Sequence, residues 1–273
     1  FNSNILLKTS KFIEIKPEFY WFNKNEIKEL IKIRNIINMD TLSVFSSFMT
    51  KVKKDYPINS IRKIYDWVKI NNKKYFMKTK IVDLIKLKDW TYNSTKIEHK
   101  KKKHFSIIGI NASTNKREIK NWSQPIIKGK EMAFAGFIKT KFNNIEHYLC
   151  RYTLKPGLKS GGISCTVNTS DINNYSKNHT LNSNEKYFIK KYFFSQYSKK
   201  NIIYDNTLSD EGGRFYQCQI RYMISKLLYP DSIKIPNNYI WISHNQIVDM
   251  IRDQKLDIEA RLLFACANLD YIY

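Results

Sequence analysis

Two stretches near opposite ends of the chain carry the same helix-start pattern, and this repeat limits what the polypeptide can fold into. The first is Phe19-Tyr20-Trp21-Phe22-Asn23-Lys24-Asn25-Glu26-Ile27. Asn23 can cap a helix with Glu26 at the third helical position, while Phe22 staples onto Ile27 one turn in. Ile27, Leu30 and Ile31 then share a face, and a second helix starts near Asp40 carrying Leu42, Phe45 and Met49. Tyr239-Ile240-Trp241-Ile242-Ser243-His244-Asn245-Gln246-Ile247 repeats the unit, with Ser243 as cap, Gln246 in the box and an Ile242–Ile247 staple. After a one-residue slip, Asn38-Met39-Asp40 aligns with Asp257-Ile258-Glu259 and Val44-Phe45 with Leu263-Phe264. The copies are too far apart for a solenoid. They predict a chain cut or descended from a larger duplicated protein in which such a unit follows each core module.

Three regions follow: residues 1–87, a helical unit with a Lys-rich connector; 88–230, a core module; and 231–273, a C-terminal helical unit repeating 19–46. Within the core, alternating apolar residues predict strands over Phe105 to Ile110, Ser123 to Ile127, Met132 to Thr140, Ile145 to Leu154 and Ile163 to Asn168. Asn143-Asn144 suits a type I′ hairpin, Asn184 to Phe194 reads as helix, and strand character resumes from Ile202 to about Leu228. The fold class is α+β, a mixed sheet core flanked by helices.

Function classes narrow by absence of motif. There is no P-loop, no G-x-G-x-x-G and no G-x-S-x-G. Cys150, Cys165, Cys218 and Cys266 form no C-x-x-C pair, which favours reduced thiols in a cytoplasm. The longest uninterrupted apolar run, Leu262 to Ala267, is far short of a membrane span. A net charge of +23 admits anionic partners, yet a chain rich in Lys, Asn and Ile accumulates lysine on ordinary solvated faces. The run His99-Lys100-Lys101-Lys102-Lys103-His104 lacks interleaved aromatics and reads as a solvated turn rather than a nucleic-acid surface. His147 and His179 have no partner at metal-ligand spacing.

The stretch that reads as a site is Ser209-Asp210-Glu211-Gly212-Gly213-Arg214-Phe215-Tyr216. Gly212 and Gly213 allow positive φ or close approach of a ligand, and Arg214 offers a planar fork to phosphate or carboxylate. The alternative is a β-bulge with a surface Glu–Arg pair. Asn121-Trp122-Ser123-Gln124-Pro125 adds an aromatic face and an amide at a strand start, open either to stacking on a ligand or to an ordinary core Trp.

In order and spacing these segments resemble the NDP-hexose 2,3-dehydratases, whose chains are built from two homologous Nudix-like modules. The likeness, from about Phe19 to Leu269, is carried by Trp90, His99 and Phe105, and by Arg117-Glu118 leading to Trp122-Ser123-Gln124-Pro125. It continues through His147-Tyr148-Leu149, Pro156-Gly157, Thr166-Val167, Asn174-Tyr175, Ser209 to Tyr216, Arg221-Tyr222, Glu259-Ala260-Arg261 and Cys266. The second module, preceded by the unit that ends the first, is the better match.

The resemblance implies a dTDP-4-keto-6-deoxyhexose substrate, no cofactor and, since Arg117-Glu118 is not followed by paired glutamates, no metal. It implies Glu211 as base or the group orienting it, Tyr216 or Tyr222 as proton donor, and Arg214 on the diphosphate. Trp122, Gln124, Gly212, Gly213, Thr166, Asn168 and Tyr175 would contact substrate. The chain departs from the family where Lys155 replaces a Glu before Pro156-Gly157, and where Cys165-Thr166-Val167-Asn168 replaces Pro-Thr-Val-Gln. A nucleotide-sugar-binding half without turnover, or a basic nucleic-acid-binding protein, are the alternatives. A single core between two unit copies further predicts a homodimer with the Trp21 and Trp241 units near the contact.

Overall fold

Short antiparallel strands open the core, and a larger mixed sheet completes it. The computed structural model describes residues 9–33, 36–178, 181–196 and 198–272, so His179 lies outside the described residues. Strands β1 (Trp90–Tyr92), β2 (Lys96–His99), β3 (Ser106–Ser113) and β4 (Asn121–Lys128) form an antiparallel meander in that order. β1 and β2, of three and four residues, are too short to leave a periodic signature in the sequence.

The larger sheet has the order β11-β6-β5-β10-β9, where β5 is Ala133–Phe142, β6 Ile145–Thr153, β9 Ile202–Ser209, β10 Gln219–Lys226 and β11 Tyr239–Ser243. Its β5–β6 hairpin turns at Asn143-Asn144 with φ of 49° and 64°, the left-handed pair that Asn tolerates. Pairing is antiparallel except that β10 runs parallel to β5. The strand expected over Ile163 to Asn168 is instead two short strands, β7 (Gly162–Ser164) on β6 and β8 (Val167–Thr169) on β5. Thr166 makes the break: its hydroxyl accepts the Ile138 N–H at 2.9 Å and donates to the Leu149 carbonyl at 2.5 Å.

Alternation along the strands divides two apolar layers. Ala135, Phe137, Tyr148, Cys150, Tyr222, Ile224, Ile240 and Ile242 face one layer; Phe134, Ile138, Leu149, Met223, Tyr239 and Trp241 face the other. Helices α5 (His244–Arg252) and α6 (Ile258–Ala267) cover the first, and α4 (Ser183–Phe188), continued by a π-helical turn over Ile189–Phe193, covers the second. Gly136 admits that turn, because a Cβ there would sit 2.7 Å from Phe193 Cζ.

Both capping boxes are formed, Asn23 with Glu26 before α1 (Lys24–Lys32) and Ser243 with Gln246 before α5. The equivalent helices α2 (Met39–Phe45) and α6 pack against each other, with Asn38 and Asp257 as corresponding N-caps. The lead-in segments differ. Tyr239–Ser243 is a fully buried strand, whereas Phe19 to Phe22 lies outside any strand with Trp21 66% exposed. Helix α3 (Ile61–Lys74) closes the β11 edge, with Trp67 Nε1 donating to the Asn237 carbonyl and Asn59, just before it, donating to that of Trp241. His147 is a structural histidine, its Nε2 accepting the Ile58 N–H.

Candidate active site

Strands β9 and β10 pair up to Ser209↔Gln219, and Asp210 N–H still donates to the Cys218 carbonyl. Beyond that the chain leaves the sheet. Arg214 and Phe215 N–H groups both return to the Glu211 carbonyl, making a tight turn. Glu211 Oε2 receives Arg214 Nε–H at 2.8 Å together with a second guanidinium N–H. That bond to Glu211 raises the Arg214 pKa further. The continuous strand expected through this stretch is therefore a loop. Neither Gly212 nor Gly213 needs its left-handed freedom; the positive φ falls on Gln217, at 53°. A Cβ at Gly212 would meet nothing within 4 Å, so the glycines keep the face of the loop open.

The loop is tied to the smaller sheet by groups distant in sequence. Gln124 Nε2 donates to the Gly213 carbonyl at 2.9 Å, and Trp122 Nε1 donates to Gln124 Oε1 at 2.8 Å. Arg117 lies over the Trp122 ring at 5.7 Å. Ile127 N–H donates to the Arg214 carbonyl and Tyr216 N–H to that of Ile127, at 2.9 and 2.8 Å. Thus Trp122, Gln124, Gly213, Arg214 and Glu211 form one connected set.

On the α6 side of the larger sheet, polar groups gather in a partly desolvated environment. Burial pushes the Asp210 carboxyl up; the Glu211 N–H opposes this while Glu259 and Glu211 add to it. Tyr222 is buried, and its phenol is held well above the ordinary range by burial and by Glu259 and Asp210. Among the described residues its hydroxyl reaches only Met39 Sδ, at 4.0 Å. Asp257 caps α6 by accepting the Ala260 N–H at 3.0 Å, and is raised by burial and Glu259 against the pull of Lys155. Lys155 lies 3.1 Å from Glu259 and 3.5 Å from Asp257. Burial alone would lower its pKa, but the two carboxylates outweigh that and raise it. Tyr204 is likewise raised by burial.

The other residues singled out in the sequence do not join this set. Thr166 is spent on the backbone of β5 and β6, Asn168 pairs opposite Ala135 in β8, and Tyr175 packs on the α4 layer, across the sheet from Tyr222. Tyr216 lines a shallow cavity of about 360 Å³ with Gln217 and Cys218. Asp210, Asp257 and Glu259 carried no predicted role; only the N-cap position of Asp257 could have been read in advance, since the rest depends on which strands adjoin. Among the described residues, no group of three or more His, Cys, Asp or Glu side chains is disposed to hold a metal ion, and no helix is long and apolar enough to cross a membrane.

Residues 61–267 match the family model described as NDP-hexose 2,3-dehydratase. A dTDP-4-dehydro-6-deoxy-alpha-D-glucopyranose 2,3-dehydratase of Saccharopolyspora spinosa is 25% identical over 288 residues, covering 97% of this chain and 58% of the relative. Proteins of the same description from Amycolatopsis orientalis and Streptomyces violaceoruber are 23% and 22% identical, with 98% of this chain and 56% and 61% of theirs covered. The chain thus spans less than two thirds of the length of these relatives. Among solved structures, an ADP compounds hydrolase aligns with a TM-score of 0.36 at 10% identity, over 58% of this chain and 83% of that one, a likeness too slight to build on.

Proposed function

Because the chain belongs to the NDP-hexose 2,3-dehydratase family, we propose that it is a cytoplasmic nucleotide-sugar 2,3-dehydratase acting on a dTDP-4-keto-6-deoxyhexose in deoxysugar biosynthesis. One observation carries this reading: the Glu211–Arg214 loop, held by Gln124 and Trp122, adjoins the half-buried Asp210 carboxyl, itself near the buried Tyr222 phenol. The C4 ketone acidifies the C3 proton. Glu211 takes that proton, and the C3–H electrons form a C3–C4 enolate whose charge rests on the C4 oxygen. The enolate then expels the C2 hydroxyl, which leaves as water with a proton from Tyr222 or Asp210. The resulting C2–C3 enol tautomerises to a 3,4-diketo-2,6-dideoxy sugar. The substrate diphosphate displaces Glu211 from the Arg214 fork, which frees Glu211 to act as base, and Trp122 with Gln124 holds thymine or sugar.

The chain works as a homodimer in this reading. Trp241 is buried in its own sheet, so the contact falls to the exposed Phe19–Phe22 segment. The test is incubation with dTDP-4-keto-6-deoxyglucose followed by mass spectrometry, which should show loss of one water. Saturable dTDP binding without that loss would instead establish a nucleotide-sugar-binding half, a reading favoured by Lys155 standing between Asp257 and Glu259.

A further inference from the structure

A second cavity, separate from the Arg214 loop, opens between the β2–β3 loop and the turn that follows β8. It has a volume of about 380 Å³ and is lined by His99, His104, Lys103, Lys130, Lys177 and Asp171, among others. The three lysines come from three different loops, and none forms an ion pair among the described residues. Asp171 is partly engaged, its Oδ1 accepting the Asn174 N–H at 3.1 Å.

The histidines are placed with more precision than solvent exposure requires. His99 is only 8% exposed, and its Nδ1 accepts the Lys101 N–H at 3.1 Å. The neutral ring therefore carries its proton on Nε2, and that donor has no partner among the described residues. His104 meets the His99 ring edge-on at 4.8 Å and lies nearly parallel to Trp90 at 6.2 Å. Burial, with smaller contributions from His99 and Lys103, lowers its pKa.

We infer that this cavity is an oxyanion site for a phosphate or diphosphate group, held by Lys103, Lys130 and Lys177 with His99 Nε2 as a neutral donor. Three ammonium groups facing one carboxylate suit a ligand with more than one negative charge, and charge-assisted bonds from a concave wall favour phosphate oxygens. A single carboxylate would leave most of that charge unmet.

Calorimetric titration of the full chain with inorganic pyrophosphate at fixed ionic strength is the test. Saturable binding is expected, weakened roughly tenfold or more by Lys130→Ala combined with Lys177→Ala, the scale of two lost charge-assisted contacts. Both lysines are exposed, so the variant should fold, and circular dichroism verifies that. The same weakening by the double variant should appear in an Arg214→Lys background, which separates this site from the one proposed for the substrate diphosphate. No saturable binding, an unchanged affinity in the double variant, or a double variant without effect in the Arg214→Lys background would overturn the assignment. With binding established, displacement by dTDP assigns the anion to a nucleotide, and failure of dTDP to displace it assigns a free phosphate compound.

Discussion

Replacing Lys155 with methionine keeps the stem and removes the ammonium that stands between Asp257 and Glu259. The Lys155 side chain is 40% exposed and the partners only 10% and 20%. Breaking a buried pair costs ~3–5 kcal/mol and an exposed pair below ~1 kcal/mol. A half-covered cation should fall between, so the variant should lose ~1–2 kcal/mol at pH 8 after discounting for solvent screening. The loss should depend on pH. The folded Asp257 carboxyl is raised above its ordinary value by burial and Glu259, so the fold prefers it neutral. Such a group contributes stability below its unfolded pKa and loses it as pH rises through the folded one. Lys155 limits that loss by favouring the charged form. Without it the folded pKa climbs further, and the penalty grows with pH. Thermal unfolding at pH 5 and pH 8 measures this, with each kcal/mol worth ~2–4 °C for a chain of this size. A penalty equal at both pH values, or a variant as stable as the parent at pH 8, would refute the role given to Lys155.

Thr166→Val should cost ~2–4 kcal/mol in urea denaturation, because it strips the partner from one buried N–H and one carbonyl; a neutral substitution would return Thr166 to the list of ligand contacts. Glu211→Gln should fold normally and lose most dehydration, read by mass, since the amide keeps volume but not basicity. Arg214→Lys should weaken dTDP binding in calorimetry, a point charge being a poor substitute for a fork. Light scattering at micromolar concentration should give the dimer mass, and a monomer mass that persists on concentration would exclude it.

Much was legible along the chain because its causes are local. A capping box needs only four residues, so Asn23–Glu26 and Ser243–Gln246 are both found where read. The Asn143-Asn144 hairpin is likewise a property of two residues that tolerate positive φ, and the near-continuous apolar run of β5 declares a strand buried on both faces. Several readings failed where the deciding partner lies far away. Thr166 interrupts a strand because Ile138 and Leu149 present unpaired backbone groups to it. The repeat at Phe19–Phe22 matches Tyr239–Ser243 in pattern but not in burial, since only the second has the β6 edge to pair with. Glu211 and Arg214 were visible as a pair three residues apart, but their connection to Gln124 and Trp122 depends on how the two sheets approach. Local sequence determined helix starts, turns and strand faces, because backbone sterics and short-range hydrogen bonds act within a few residues. Tertiary structure alone decided that Asp210, Tyr222, Asp257, Glu259 and Lys155 share one partly desolvated environment, because desolvation and charge coupling depend on distance in space and not on separation along the chain.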